Sequence, residues 1–347
     1  MDKARVGLIS CGSMGTGLAK ACNELDSAEV VALADVQQAA LDKAGKELSE
    51  AAAKLGKTFK PATYLRYEEM LAKEKLQAVI VASPGFLHRE MVEKVAEAKR
   101  HVFCEKPLAV TVPDCDAMIA ACKRNGVKLM VGQVCRYHGI HSRVRDLVKS
   151  GEFGKPICMV VRRLGGTFGG VYRQSWRNTM AESGGLLMEV NAHEIDFMRF
   201  VCGDVAKVFG VGGRYVNENI DYPDENLVSL VFKSGAVGAL HASMASAIGS
   251  YGGRVDCGAG GLEFPSIWGQ GAGIHTMKKG EAAKFIPASE ISVEPPVRHE
   301  VRAFVEAILK DEPVPIPGEE GRAAVEIACA AYHSMKTGSP VTLPFEG

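Results

Sequence analysis

A short strand-like run, Arg5-Val6-Gly7-Leu8-Ile9, breaks into Ser10-Cys11-Gly12-Ser13-Met14-Gly15, and a helical pattern follows at once, with Met14, Leu18, Ala21 and Leu25 on one stripe. A buried strand that turns directly into a helix belongs in a layered α/β fold. The turn reads as G-x-G-x-x-G with serine in the first glycine's place. Gly12 would let the backbone approach a diphosphate, and Gly15 would let the helix pack close to the strand. The N–H groups at Ser13, Met14 and Gly15 would face the phosphates. Val30-Val31-Ala32-Leu33-Ala34 is a second buried strand, and it ends on Asp35, twenty residues past Gly15. At that spacing a carboxylate bonds the ribose hydroxyls of a bound dinucleotide. Asp35 would repel a 2′-phosphate, and Val36-Gln37-Gln38 offers no cation to receive one. NAD is expected over NADP; the competing reading is an ordinary strand-ending aspartate.

Strands and helices then alternate as in a doubly wound sheet. Residues 77–82 form a strand that stops at Ser83-Pro84, residues 86–99 a helix, and residues 101–104 the next strand. Pro113 opens a helix that Asn125-Gly126 ends, and residues 128–132 form the last of six strands. The pattern predicts a dinucleotide-binding Rossmann domain over residues 1–134. Glu105-Lys106-Pro107 follows the strand at residues 101–104, and the proline forces that strand to stop. Lys106 is therefore expected at a strand's carboxyl end, the edge where open α/β sheets bind ligands. A surface salt bridge between Glu105 and Lys106 is the plainer alternative.

After Cys135 the texture changes, and residues 135–347 are expected to form an α+β domain with a large, open, mixed or antiparallel sheet. Residues 138–149 read as a helix and residues 156–164 as a strand, which runs into Gly165, Gly166, Gly169 and Gly170. Residues 226–232 and 237–244 alternate around Lys233-Ser234-Gly235-Ala236, a hairpin. Residues 184–196 read as one helix that sets Glu189, His193 and Asp196 on a single stripe. A carboxylate one turn before an imidazole can orient it and suits it to general-base work. A polar stripe facing water is the alternative, but Val190, Ile195 and Phe197 leave little of this helix for solvent.

Composition removes several classes. The chain has 347 residues, which is long for one core, so two domains are expected. Lysine plus arginine and aspartate plus glutamate are both 41, which leaves no net field to draw nucleic acid or an anionic membrane. No apolar run approaches the ~20 residues that span a bilayer, and no signal-peptide core follows Met1-Asp2-Lys3, so a cytoplasmic protein is expected. Ten cysteines without a CxxC pair suit a reducing compartment. Cys135, His138 and His141 recur every three residues, but with no fourth ligand nearby no metal is expected.

Together these residues resemble the Gfo/Idh/MocA oxidoreductases, the glucose–fructose oxidoreductase and inositol dehydrogenase group, over essentially the full length. The markers are Gly12 and Gly15 with Asp35, Ser83-Pro84 followed by His88, Glu105-Lys106-Pro107, Trp176-Arg177 and residues 184–196. A C-terminal helix from Gly321-Arg322 to Ser334, followed by Thr337-Gly338 and Pro340-Val341, completes them. The resemblance implies hydride transfer between a sugar or polyol hydroxyl and NAD, and a homodimer or homotetramer formed through the open sheet. It implies that Lys106 and His193 are the catalytic pair, with Glu189 contacting substrate or the histidine. It places Ser83, Pro84, His88, Glu105, Trp176 and Arg177 around the cofactor, Lys106 at a cis peptide before Pro107, and the C-terminal helices against the first domain. Lys106, Glu189 and His193 are expected to meet. Ser10 for glycine, Glu189 for aspartate and Asn191 for glycine depart from the family pattern. Oxidising an alcohol needs a base for the hydroxyl proton and a cation for the developing alkoxide, and either Lys106 or His193 can take the proton. Two other outcomes compete: a glycosidase that retains NAD and works by transient oxidation and elimination, and a nucleotide-sensing regulator. Arg162, Arg163, Arg173 and Arg177 are cations that could admit an acidic sugar, although strand alternation sends Arg162 and Arg163 to opposite faces.

Overall fold

The computed structural model describes residues 3–165, 175–291 and 293–346. Gly166, Gly169, Gly170 and Arg173 lie outside the described residues. The chain divides into two compact units. The first comprises residues 1–109, 113–134 and 294–322, and the second residues 110–112, 135–293 and 323–347.

The first unit is built on six parallel strands: β1 (Ala4–Ile9), β2 (Ala28–Ala34), β3 (Ala62–Tyr64), β4 (Ala78–Val81), β5 (His101–Glu105) and β6 (Leu129–Gly132). Their spatial order is β3-β2-β1-β4-β5-β6, the order of a dinucleotide-binding doubly wound sheet. The strands are nearly continuous apolar runs because helices cover both faces. These helices are α1 (Ser13–Glu24), α2 (Gln38–Lys54), α3 (Tyr67–Lys73), α4 (His88–Glu97) and α5 (Val112–Asn125), whose first residue the division assigns to the second unit. On α1, Leu18 and Ala21 are buried, as is Leu25 just beyond it, but Met14 is 47% exposed. Met14 lies in the first turn, where the helix emerges from the loop after β1, so it leaves the apolar stripe assigned to it. The helix expected at residues 86–99 begins instead as a single 3₁₀ turn, Gly85–Leu87, before α4.

The second unit opens with α6 (Gly139–Lys149) and β7 (Pro156–Leu164). Two four-residue helices follow, α7 (Met180–Ser183) and α8 (Leu186–Glu189), and then α9 (Ala192–Cys202). Seven more strands of the sheet follow: β8 (Val205–Gly213), β9 (Glu225–Phe232), β10 (Val237–Ser243), β11 (Ser250–Cys257), β12 (Gly260–Phe264), β13 (Gly273–Lys278) and β14 (Lys284–Pro287). The chain then supplies α10 (Pro296–Leu309), which packs on α1 within the first unit, and α11 (Gly318–Thr337), whose first residues also belong there. Last comes β15 (Val341–Thr342), at the edge of the sheet beside β8. The nine strands run β14-β13-β12-β11-β7-β10-β9-β8-β15, and only the β7–β10 pair is parallel. Helix α9 packs on β7 and β10, where Met159, Val161, Leu240 and Ala242 are buried. Val211, Leu227, Val231, Val237 and Met277 are exposed on the other face. All ten cysteines are free, and no described helix is long and apolar enough to cross a membrane.

Candidate active site

In the first unit the parallel order brings the carboxyl ends of β2, β1, β4 and β5 side by side, and each carries residues singled out above. Ser10 has φ +75°, the left-handed region that glycine occupies without strain. The turn after β1 therefore keeps the conformation of a glycine turn despite the serine. Gly15 shows why the next step demands glycine: an added Cβ would stand 2.1 Å from the Ser10 carbonyl oxygen. Gly12 precedes α1 with no side-chain cap, and Gly12, Ser13 and Met14 are exposed. The first N–H groups of a helix have no acceptor within it, so this turn can receive an anion. Asp35 spans the two strand ends, accepting from Cys11 N–H at 2.8 Å and from Gln37 N–H at 2.9 Å. Each carboxylate oxygen keeps a second acceptor site for a hydroxyl. This open, uncapped turn flanked by an acceptor carboxylate fits an NAD diphosphate and ribose.

The ends of β4 and β5 are tied to one another. His88 is fully buried, with Nε2 2.8 Å from the Ser83 carbonyl and Nδ1 3.0 and 3.1 Å from the carbonyls of Pro107 and Leu108. It braces the turn at Ser83-Pro84 against the turn at Lys106-Pro107, whose peptide bond is cis. Glu105 is buried and accepts from the Lys106 N–H at 3.1 Å. A Cβ on Gly132, at the end of β6, would meet that carboxylate at 3.0 Å, so a bare glycine makes room for it. Lys106 itself is only partly buried, on the ligand-binding edge of the sheet.

In the second unit residues 184–196 are not one helix. Gly184 and Gly185 have φ +70° and +73°, and the chain breaks again at Val190-Asn191 between α8 and α9. Glu189 therefore stands on a different helix from His193 and Asp196, which remain three residues apart on α9, and each carboxylate pairs with an arginine. Glu189 pairs with Arg177 Nε at 2.8 Å, and the Arg177 guanidinium also lies 4.2 Å from the Trp176 ring centroid. The Tyr222 hydroxyl donates to the Arg177 carbonyl at 2.8 Å and fixes that short turn. Asp196, with no exposed side-chain surface, takes both arms of Arg136 at 2.6 and 2.8 Å. Glu194, equally buried, pairs with Arg163 at 3.0 Å and accepts from the Asn191 amide at 2.7 Å. His193 sits in the first turn of α9, just before these two buried, ion-paired carboxylates.

Those pairs escape sequence reading, since their partners lie 31 and 60 positions away. The signal that was available is the pair of acids, Glu194 and Asp196, inside an otherwise apolar helix. Nearby, His141 is fully buried against the Tyr251 hydroxyl at 3.1 Å, and burial holds its pKa down to about 3. Burial likewise pushes the Cys135 thiol up to about 12.

The profile of the oxidoreductase family with NAD-binding Rossmann fold matches residues 4–133, and that of the GFO/IDH/MocA C-terminal domain matches residues 141–263. Myo-inositol 2-dehydrogenase of Thermotoga maritima is 28% identical over 345 residues, with 98% of each chain covered. A 2,7-anhydro-N-acetylneuraminate hydratase of Escherichia coli is 29% identical over 238 residues, 67% of this chain and 60% of that one. Levoglucosan dehydrogenase, solved with NADH and levoglucosan, superposes with a TM-score of 0.84 over 99% of this chain and 100% of that one; at 21% identity it shows a shared fold. The chain belongs to the GFO/IDH/MocA family, as an oxidoreductase with an NAD-binding Rossmann domain.

Proposed function

We propose that the protein oxidises a hydroxyl of a sugar or polyol with NAD, and that Lys106, His193 and Glu189 serve the reacting carbon. The observation that carries this reading is Lys106 at the carboxyl end of β5, on the same sheet edge as the Gly12–Gly15 turn and Asp35. Similarity to a myo-inositol 2-dehydrogenase along nearly the whole chain supports the substrate class. Bound NAD would supply the hydride acceptor. Lys106 donates a hydrogen bond to the substrate oxygen and stabilises its developing negative charge. His193 receives the hydroxyl proton, and Glu189, held by Arg177, orients the substrate. Ser83, Pro84 and Glu105 shape the cofactor edge, and His88 fixes the turns on which they stand.

A panel of sugars, inositols and glycosides assayed for NADH formation tests the reading, and net NADH with one of them is the expected result. A second reading is favoured by the similarity to a hydratase: transient oxidation followed by elimination, with NAD regenerated. Product without accumulating NADH would select it. Asp35 is expected to make NAD bind more tightly than NADP. Asp35→Ser combined with Val36→Arg should move the preference toward NADP in calorimetry, and equal affinities in the unaltered protein would remove that role. We infer a homodimer or homotetramer through the exposed sheet face of Val211, Leu227, Val231, Val237 and Met277, to be checked by sedimentation equilibrium.

A further inference from the structure

We propose that the site selects an uncharged sugar or polyol over its carboxylated counterpart, because the arginines around Glu189 and His193 are already neutralised by the protein's own carboxylates. This rests on the reading of Glu189 and His193 as substrate-facing.

Four arginines are cations that could admit an acidic substrate. Arg162 is spent on the open face of the sheet, where it donates to the Ser250 hydroxyl at 2.8 Å and the Pro265 carbonyl at 3.2 Å. Arg163, one residue on, turns to the α9 side and pairs with Glu194, and Arg177 pairs with Glu189. Arg173 is outside the described residues. Arg136, which the sequence did not single out, is held by Asp196. Around the stretch from Glu189 to Asp196, three guanidiniums thus face three carboxylates. A substrate carboxylate arriving here would have to displace a protein carboxylate, leaving that one desolvated and unpaired. A hydroxyl carries no such penalty, since it can donate to a carboxylate oxygen and accept from an N–H. In the function proposed above, Lys106 serves the reacting oxygen.

The three pairs differ in a way that makes the idea testable. Glu194 and Asp196 have no exposed side-chain surface, while Arg163 and Arg136 keep 24% and 10% of theirs; Arg177 and Glu189 keep 30% and 11%. Arg177–Glu189 is the pair in which both members remain accessible. Glu189→Gln keeps the shape and hydrogen-bonding reach but removes the charge, so Arg177 should then accept a substrate carboxylate.

The test uses the NAD-loaded full-length protein and matched probes: D-glucose with D-glucuronate, and D-galactose with D-galacturonate. NADH formation gives kcat/KM and calorimetry gives Kd. For the unaltered protein the neutral member should be favoured by roughly tenfold or more, the scale of one charge-assisted hydrogen bond. Glu189→Gln should raise affinity for the uronate by a similar factor, and adding Arg177→Met should cancel that gain. A uronate bound or oxidised by the unaltered protein as well as its neutral partner overturns the proposal. So does a Glu189→Gln protein with unchanged uronate affinity, and if that variant does not fold the ratio in the unaltered protein decides alone. A gain in uronate binding without NADH from any sugar would keep the charge inference and remove the dehydrogenase reading.

Discussion

The two units hold their functional residues by different means. In the first, position comes from the main chain: parallel strand ends, a turn at Ser10, a close helix approach at Gly15, and carbonyls gathered by His88. In the second it comes from side-chain charge, with Glu189, Glu194 and Asp196 each anchored by an arginine from another segment. Buried ion pairs seldom add stability beyond what apolar packing would give. Their value here is directional, because two of them, at Glu194 and Asp196, tie down the start of α9, the helix that carries His193. The contrast teaches that a backbone-built site is vulnerable to added atoms, and a charge-built site to removed ones.

Three stability measurements separate the two modes of construction. Asp196→Ala removes the buried carboxylate that takes both arms of Arg136, and a loss of about 3–5 kcal/mol is expected in denaturant unfolding. A loss below about 1 kcal/mol would mean that the pair is exposed to solvent screening and does not anchor α9. Gly15→Ala adds one methyl against the Ser10 carbonyl and should cost about 1–3 kcal/mol, together with NAD affinity. Unchanged NAD binding in that variant would show that the turn adapts and that close packing is not what makes the site. The smallest effect should come from Ser10→Gly, which relieves a left-handed serine but frees the unfolded chain, for a net gain of at most about 1 kcal/mol. Destabilisation there would point to work done by the serine hydroxyl.

The same contrast explains what could be read from the sequence. Five strands of the first sheet stand out as apolar runs, and the turn, Asp35 and the Lys106 strand end are local patterns. Strand β3, only three residues long, carries no period to detect. In the second unit β7 reads as a strand-like run and β9 and β10 alternate visibly, but β8 and β11 are interrupted by glycines at 210, 212, 213, 252 and 253. The break between α8 and α9 was hidden because Val190 and Asn191 fit a helical stripe on paper, and nothing local reports where an arginine's partner lies. The carboxylates were legible as residues, whereas their commitments were not.

In the function proposed above, Lys106 and His193 perform chemistry on one hydroxyl while the Gly12–Gly15 turn and Asp35 hold NAD. The most direct measurement is steady-state NADH formation by Lys106→Ala and His193→Ala on the sugar or polyol identified in the panel, with NAD affinity determined in parallel. Each variant should lose ~10²–10⁴-fold in kcat, the range of a general acid–base contribution, while NAD binds nearly as before. Near-normal turnover by either variant would contradict the role assigned to that residue.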